Sequence, residues 1–424
     1  MQHSKSREPN IRPVRGSSNI STCSMPKQVK ARWLIVDPFH VHLDGGVVIG
    51  DDGRIAEVLD EASSASARSR ADTWETLDLG EAVLMPGLVN AHAHLELSTL
   101  ALDPSGSFDQ WIAKVIGARA NMTAEDYERA VQVGAARLLQ TGTTCVGDLD
   151  STGASETVLD HSPLRARVYR EVLDGGNAAR TGQELETLRR PFTGGPGLYA
   201  GIAPHAPHTV SDTLLEACAA VSMNQGLPLS VHWAETPEEC EWLSKGTGPF
   251  SDFLGASPGC TGLQRLQRAG MLDGALSLTH GNHPGPGELE ALGASGATVV
   301  HCPGSHAYFG RPAISLDAWI AAGVQIALGT DSSASNGDLD MRREMSLVRR
   351  EHPGLHAETV LEWATRGGAR ALGLGDQIGE LQVGRWADLV ALQSTVHTDA
   401  REMIDEVTSS CPSVLGVWVA GNRV

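Results

Sequence analysis

Basic residues are scarce in this chain. Against 51 aspartates and glutamates stand 33 lysines and arginines over 424 residues, a formal net charge of −18 at pH 7. That balance argues against nucleic acid or an anionic membrane surface as partner. It leaves room for an anionic small molecule, because one pocket can differ from the whole. Long apolar runs are also missing: nothing approaches the roughly 18 residues of a membrane span. The first 24 residues carry Lys5, Arg7, Arg12 and Arg15 but no apolar core, so they do not make a secretory signal. They read as a disordered tail or an over-long reading frame, with Met25 opening a more ordinary start and the tail ending by residue 27. Paired cysteines are lacking too. Cys23, Cys145, Cys218, Cys240, Cys260, Cys302 and Cys411 are odd in number and include no C-x-x-C, which describes free thiols in a reducing cytoplasm. Cys302 lies beside His301 but is a weaker ligand candidate than the residues below. No G-x-G-x-x-G or G-x-x-x-x-G-K-[ST] follows any strand, so a doubly wound nucleotide-binding sheet has no support. No repeat of 20–50 residues is present.

What is present is a large apolar fraction, 41%, in a chain long enough for a barrel plus an appendage. Arg32–Asp37, Gly46–Ile49, Arg54–Leu59, Thr76–Leu79 and Ala82–Met85 read as short strands, with Asp51-Asp52-Gly53 as a hairpin-type turn. From Trp111 onward helices alternate with short apolar strands. Val89–His94, continuing from Val83–Met85, opens a set of eight with Thr144–Gly147, Ala166–Val172, Gly197–Ala203, Pro228–His232, Leu276–His280, Thr298–His301 and Gln325–Gly329. Helical stretches such as Glu125–Gln140, Ser211–Asn224 and Ser315–Ala322 lie between them. The pattern predicts an α/β fold, a (β/α)8 TIM barrel over residues 87–372. The last 50 or so residues return to strand-like text, and residues 28–86 and 373–424 are expected to pair as a small composite β-sandwich.

The polar residues of interest fall at strand ends, where (β/α)8 barrels place their chemistry. His92 and His94 sit at i and i+2 and point to one face of a strand, so both imidazoles can reach one ion. His232 ends Leu229–Val231, His280 ends Leu276–Thr279, and Asp331 follows Ala327–Thr330. A single polar strand end is commonly a loop group bonded to backbone; several in succession are not. Three imidazoles and a carboxylate suit one Zn²⁺ or Fe²⁺ ion and leave a position for water, whose pKa the ion lowers toward neutrality. Glu235, three residues beyond His232, is placed to carry a proton from water to a leaving group, while Glu238 and Glu239 read as solvated carboxylates. His280 and Asp331 are then available to hold and polarise the hydroxide.

These residues resemble the amidohydrolase superfamily, in particular its cytosine-deaminase-like and chlorohydrolase-like (ATZ/TRZ) branch. The motifs are PGLVNAHAH (86–94), PHAPHTVS (204–211), VHWAE (231–235), LTHGN (278–282), VVHCPGSHAYFG (299–310), ALGTDSSASN (327–336) and IGELQVGRWADLVAL (378–392), spread over nearly all the chain after residue 28. The resemblance implies His92, His94, His232 and Asp331 as metal ligands, and Glu235 and His280 as the residues that shuttle protons and orient water. Members with two metals usually bridge them through a carboxylated lysine on the fourth strand. No lysine occurs between Lys114 and Lys245, so a mononuclear site of the deaminase type is implied.

The implied reaction is hydrolytic release of ammonia from an aminated heteroaromatic ring by metal-activated hydroxide. The alternatives are a chlorotriazine-type hydrolase, a cyclic amide hydrolase and, from another class, a non-catalytic barrel scaffold. Glu96 in HAHLELS and His306 in HCPGSHAYFG look like the aminodeoxyfutalosine deaminases, whose substrate is an adenine nucleoside with a 3-carboxyphenyl ketone in place of the 5′ hydroxyl. His205 matches a substrate-contacting residue of nucleoside deaminases. Glu96 can accept from ribose hydroxyls or amines, or orient a loop through a salt bridge. His208 and His306 are open to structural or ligand roles, and Arg342 and Arg343 to a substrate carboxylate or a solvated helix face. A homodimer is implied only by what is common in the resembled family.

Overall fold

The computed structural model describes residues 27–60, 75–395, 397 and 399–424. The expected tail over residues 1–24 lies outside them; Lys27 is already the first residue of a strand. The chain opens with β1 (Lys27–Asp37), β2 (His40–Ile49), β3 (Ile55–Leu59), β4 (Glu75–Asp78) and β5 (Ala82–Pro86). Eight strands then alternate with helices: β6 (Leu88–Ala93), β7 (Thr143–Asp150), β8 (Arg165–Val172), β9 (Leu198–Pro204), β10 (Leu229–Trp233), β11 (Leu276–His280), β12 (Thr298–His301) and β13 (Gln325–Leu328). The chain ends with β14 (Leu389–Gln393), β15 (Val414–Val419) and β16 (Asn422–Arg423).

Strands β6 to β13 pair in chain order, all parallel, as the eight-strand reading requires. Seven of them are buried along essentially their whole length, because helices cover the outside and side chains fill the inside. The helix Ala124–Gln140 shows how the cover is made. Thr123 caps its N-terminus in a reciprocal box with Asp126, and Ala130, Val131, Gly134, Ala135 and Leu138 form its buried stripe. The ring closes between its first and last strands. Ala93 bridges Asp331, and the backbone N–H groups of Thr330 and Asp331 both donate to the His92 carbonyl, at 3.1 and 3.0 Å. The barrel is therefore sealed through the backbone of two residues, His92 and Asp331, that the sequence singles out as candidate ligands.

The terminal segments form one sheet in the order β16-β15-β14-β5-β1-β2-β3, with β4 alongside β1. The sheet curls back on itself: Ile55 N–H donates to the Arg385 carbonyl and Ala387 N–H to Gly53, joining the start of β3 to the segment before β14. Leu34, Ile49, Ile55, Leu84, Leu389 and Trp418 are buried together inside. β5 runs into β6 through Gly87, where a side chain is impossible because a Cβ would lie 2.1 Å from Thr144 Oγ1. A buried ion pair ties the sheet to the barrel: Arg165 of β8 donates to both Asp388 oxygens at 2.7 and 3.0 Å. One helix was not legible. Ala400–Ser409 lies in text that reads as strand and loop, yet it buries Met403, Ile404, Val407 and Thr408 along one face. No helix among the described residues is long and apolar enough to cross a membrane.

Candidate active site

His92 is fully buried at the end of β6. Its Nδ1 lies 3.2 Å from Thr279 Oγ1, and its Nε2 has no hydrogen-bond partner. His232, on β10, places Nδ1 2.8 Å from the carbonyl of His205. A carbonyl can only accept, so Nδ1 carries the proton and Nε2 presents its lone pair. That Nε2 lies 3.1 Å from His94 Nε2, and ligand atoms of His92, His94 and His232 all lie within 4.8 Å of one another. Asp331 Oδ1 stands 3.7 Å from His92 Nε2 and 3.8 Å from His94 Nε2. Its other oxygen accepts from Ser305 Oγ at 2.9 Å and Ser335 Oγ at 2.8 Å, which fixes the carboxylate plane.

This donor set fits a divalent ion. Two nitrogens each about 2.0–2.1 Å from one zinc ion at a tetrahedral angle stand about 3.3 Å apart, close to the His94–His232 separation. Burial, with neighbouring positive charge, drives the imidazolium forms out, bringing His94 down to about 3 and His205 to about 4. His94 and, by the same burial, His232 are thus neutral at pH 7, the form that binds metal. The buried His92 Nε2 has no other employment among the described residues. Backbone strain accompanies the cluster. Ala234, His280 and Asp331 adopt φ of +49°, +77° and +59°, unusual for residues with a side chain, and all three follow or end barrel strands.

Glu235 stands on the loop beyond β10. Its Oε2 is 3.7 Å from His280 Nε2 and its Oε1 3.5 Å from Arg311 Nη1. Its N–H donates to Glu239 at 3.2 Å and its carbonyl accepts from Asn282 at 3.0 Å, so the loop is held from both sides. Burial pushes the Glu235 carboxyl up to about 7, against the opposing charge of Arg311. A carboxyl poised there can both take and return a proton. Glu239 corrects an expectation: it is not solvated but 2% exposed, and burial, then the charge of Glu235, raises it to about 8.

The cluster opens into a cavity of about 210 Å³. His94, His232, Glu235, His280 and Asp331 line its chemical end, and Leu97, Phe108, Trp111, Phe250 and Leu254 supply apolar wall. Voids of about 390 and 330 Å³ exist elsewhere, but the histidine cluster opens into neither.

Of the residues expected to meet substrate, His205 lines this cavity, with its Nδ1 2.7 Å from Thr209 Oγ1. His208 lines it too, stacked on Phe250 at 5.3 Å. Glu96 and His306 do not. The Glu96 carboxylate is buried behind the wall, accepting from Ser151 N–H, Ser151 Oγ and Thr152 Oγ1 and pairing with Arg119 at 3.1 Å. Its geometry is that of the loop-orienting salt bridge. His306 is occupied by the Pro312 carbonyl. Arg342 is bound to Asp340 and the Pro412 carbonyl, and Arg343 to Asn336, so neither faces the cavity. Sequence reasoning missed four charged residues at the site, Asp109 on the cavity wall among them. Arg119 and Glu171 line the cavity, and Arg311 reaches Glu235. Glu171 lies next to last on β8, so the strand-end rule that found the histidines would have found it. Arg119 closes a helix and Arg311 sits in a loop; neither carries a local signal.

Residues 83–424 match the Amidohydrolase family. The chain is 29% identical to a 5-methylthioadenosine/S-adenosylhomocysteine deaminase of Teredinibacter turnerae over 95% of its own length and 93% of that protein's. It is 32% identical to an aminodeoxyfutalosine deaminase of Deinococcus radiodurans, over 78% of this chain and 81% of that one. A zinc-bound adenosine deaminase of Xanthomonas campestris, 28% identical, superposes with a TM-score of 0.79 over 93% of this chain and 92% of its own. With a closed eight-stranded barrel and a metal-ready cluster at its strand ends, the chain belongs to the amidohydrolase family and is a hydrolase of non-peptide carbon–nitrogen bonds.

Proposed function

We propose that this protein is a metal-dependent deaminase that replaces the ring amine of an adenine nucleoside with oxygen and releases ammonia, aminodeoxyfutalosine being the first substrate to try. The observation that carries the reading is Glu235: a buried carboxyl raised to about 7, 3.7 Å from His280, in the same cavity as the ligand cluster. His92, His94, His232 and Asp331 would hold one ion, for which zinc suits the donor set and is bound in the Xanthomonas relative. Such an ion supplies the Lewis acidity that makes water nucleophilic at neutral pH.

The chain's own residues do the rest. Glu235 accepts a proton from the attacking water and passes it to the ring nitrogen, which keeps it; it then takes the second proton from the added oxygen and passes it to the departing amine, which leaves as ammonia. His280 holds the same water from the Glu235 side, and Asp331, anchored by Ser305 and Ser335, accepts its second hydrogen bond. The apolar wall grips a flat ring and excludes bulk water. The adenine ring is supported by the relatives above, which are named as deaminases of adenine nucleosides. A triazine hydrolase could use the same groups.

The test is ammonia release by the zinc-loaded protein from aminodeoxyfutalosine, adenosine, 5′-methylthioadenosine, S-adenosylhomocysteine, guanine, cytosine and a chlorotriazine. Release from an adenine nucleoside, with the absorbance shift to the hypoxanthine form, is expected. Activity confined to guanine, cytosine or the triazine contradicts the reading.

A further inference from the structure

The catalytic cavity contains a second carboxylate that proton transfer leaves unused. Glu171 lines it, is 7% exposed, and has one buried oxygen, Oε1, with no donor among the described residues. A Glu171 oxygen and ligand atoms of His205 and His232 lie within 4.8 Å of one another. This triad does not build a second ion site. His232 spends Nδ1 on the His205 carbonyl, and its one remaining lone pair, on Nε2, belongs to the cluster with His94. Glu171 and His205 therefore flank the same centre from the cavity wall. Arg119 adds a positive charge on that wall, held in place by Glu96 at 3.1 Å and Ser151 Oγ at 2.5 Å.

A buried carboxylate oxygen without a donor costs free energy until a ligand supplies one. Which ligand donor can reach it follows from the chemistry of the substrate, and here the argument rests on the nucleoside reading. Adenine substituted at N9 has no N–H beyond the amine that is lost; its remaining ring nitrogens only accept. The donors left are sugar hydroxyls, and a vicinal pair matches the two oxygens of a carboxylate. We propose that Glu171 accepts hydrogen bonds from the 2′ and 3′ hydroxyls of the substrate ribose and selects ribonucleosides over sugars that lack them. Nothing in the reaction itself needs this group, so its effect belongs to specificity.

The experiment compares kcat/KM for adenosine and 2′,3′-dideoxyadenosine, which share the reacting ring, in wild type and Glu171→Gln, with zinc content measured on each sample. The wild type is expected to prefer adenosine on the order of 100-fold, because a site built around a substrate hydroxyl leaves its own polar group unpaired when that hydroxyl is missing. In Glu171→Gln the preference should fall below tenfold (order of magnitude, from the loss of one acceptor oxygen) while zinc stays bound. Glu171→Asp, which keeps the charge and shortens the reach, serves the same comparison if the first variant does not fold. A wild type that treats both nucleosides alike, or a variant whose preference is unchanged, overturns the assignment with the nucleoside reading intact. Loss of zinc from the variant overturns it by making Glu171 a ligand. Inactivity of the wild type on both, and on the other adenine nucleosides of the panel above, overturns the nucleoside reading and the assignment together.

Discussion

Asp331 and Glu235 are carboxylates buried in one cavity, and their surroundings drive them apart. Burial raises both, but the neighbouring imidazoles of His92 and His280 bring Asp331 well below the usual range, whereas Arg311 only partly offsets burial at Glu235. On the proposed reading one stays ionised to hold the ion and the other exchanges a proton, the separation that acid–base chemistry at neutral pH requires. His232→Ala should strip the metal, read by elemental analysis; a full equivalent retained would remove His232 from the ligand set. Ser335→Ala deletes one of two hydroxyls that orient Asp331 and should weaken zinc binding roughly 10–100-fold in a chelator competition, while unchanged affinity would show that Ser305 alone suffices. The proposed ligands were legible because each closes an apolar run. Glu96 misled because closeness in sequence to His94 does not survive the turn of Leu95–Leu97, which sends its side chain to the loop after β7. Arg119 and Arg311 were invisible, since a surface-type residue becomes part of a site only through what folds over it.

At the scale of elements, the barrel strands were readable from their apolar runs because a parallel strand covered on both faces has no solvent side to interrupt the pattern. The helix Phe108–Arg119 adds function to cover, lining the cavity with Phe108, Trp111, Ile112, Val115 and Arg119. Ala400–Ser409 escaped notice because its buried stripe spans under two turns between polar residues, and only packing on Met341–Glu351 and Ala357–Glu362 makes it stable. Met403, fully buried in that stripe, gives a direct check. Met403→Ala should cost about 2–4 kcal/mol in denaturant unfolding, and a loss below roughly 1 kcal/mol, no more than a surface change brings, would mean that the helix does not pack as described.

Across the whole molecule, barrel and terminal sheet are joined by continuous chain through Gly87 and by the Arg165–Asp388 pair, whose side chains are 3% and 2% exposed. Removing one partner strands the other charge, so Asp388→Ala should destabilise the protein by about 3–5 kcal/mol and lower its Tm. A variant as stable as wild type would show that the pair does not hold the two parts together. The acidic composition, net −18, contrasts with a cavity that holds Arg119 and has Arg311 beside Glu235, so overall charge says little about the ligand. The central claim is that a metal cluster and Glu235 together perform deamination, and one comparison tests it most directly: zinc content and ammonia release from an adenine nucleoside, measured on the same samples of wild type and Glu235→Gln. The account predicts zinc bound by both proteins and turnover lost by at least about 100-fold in the variant. Near-native ammonia release from zinc-loaded Glu235→Gln would contradict it.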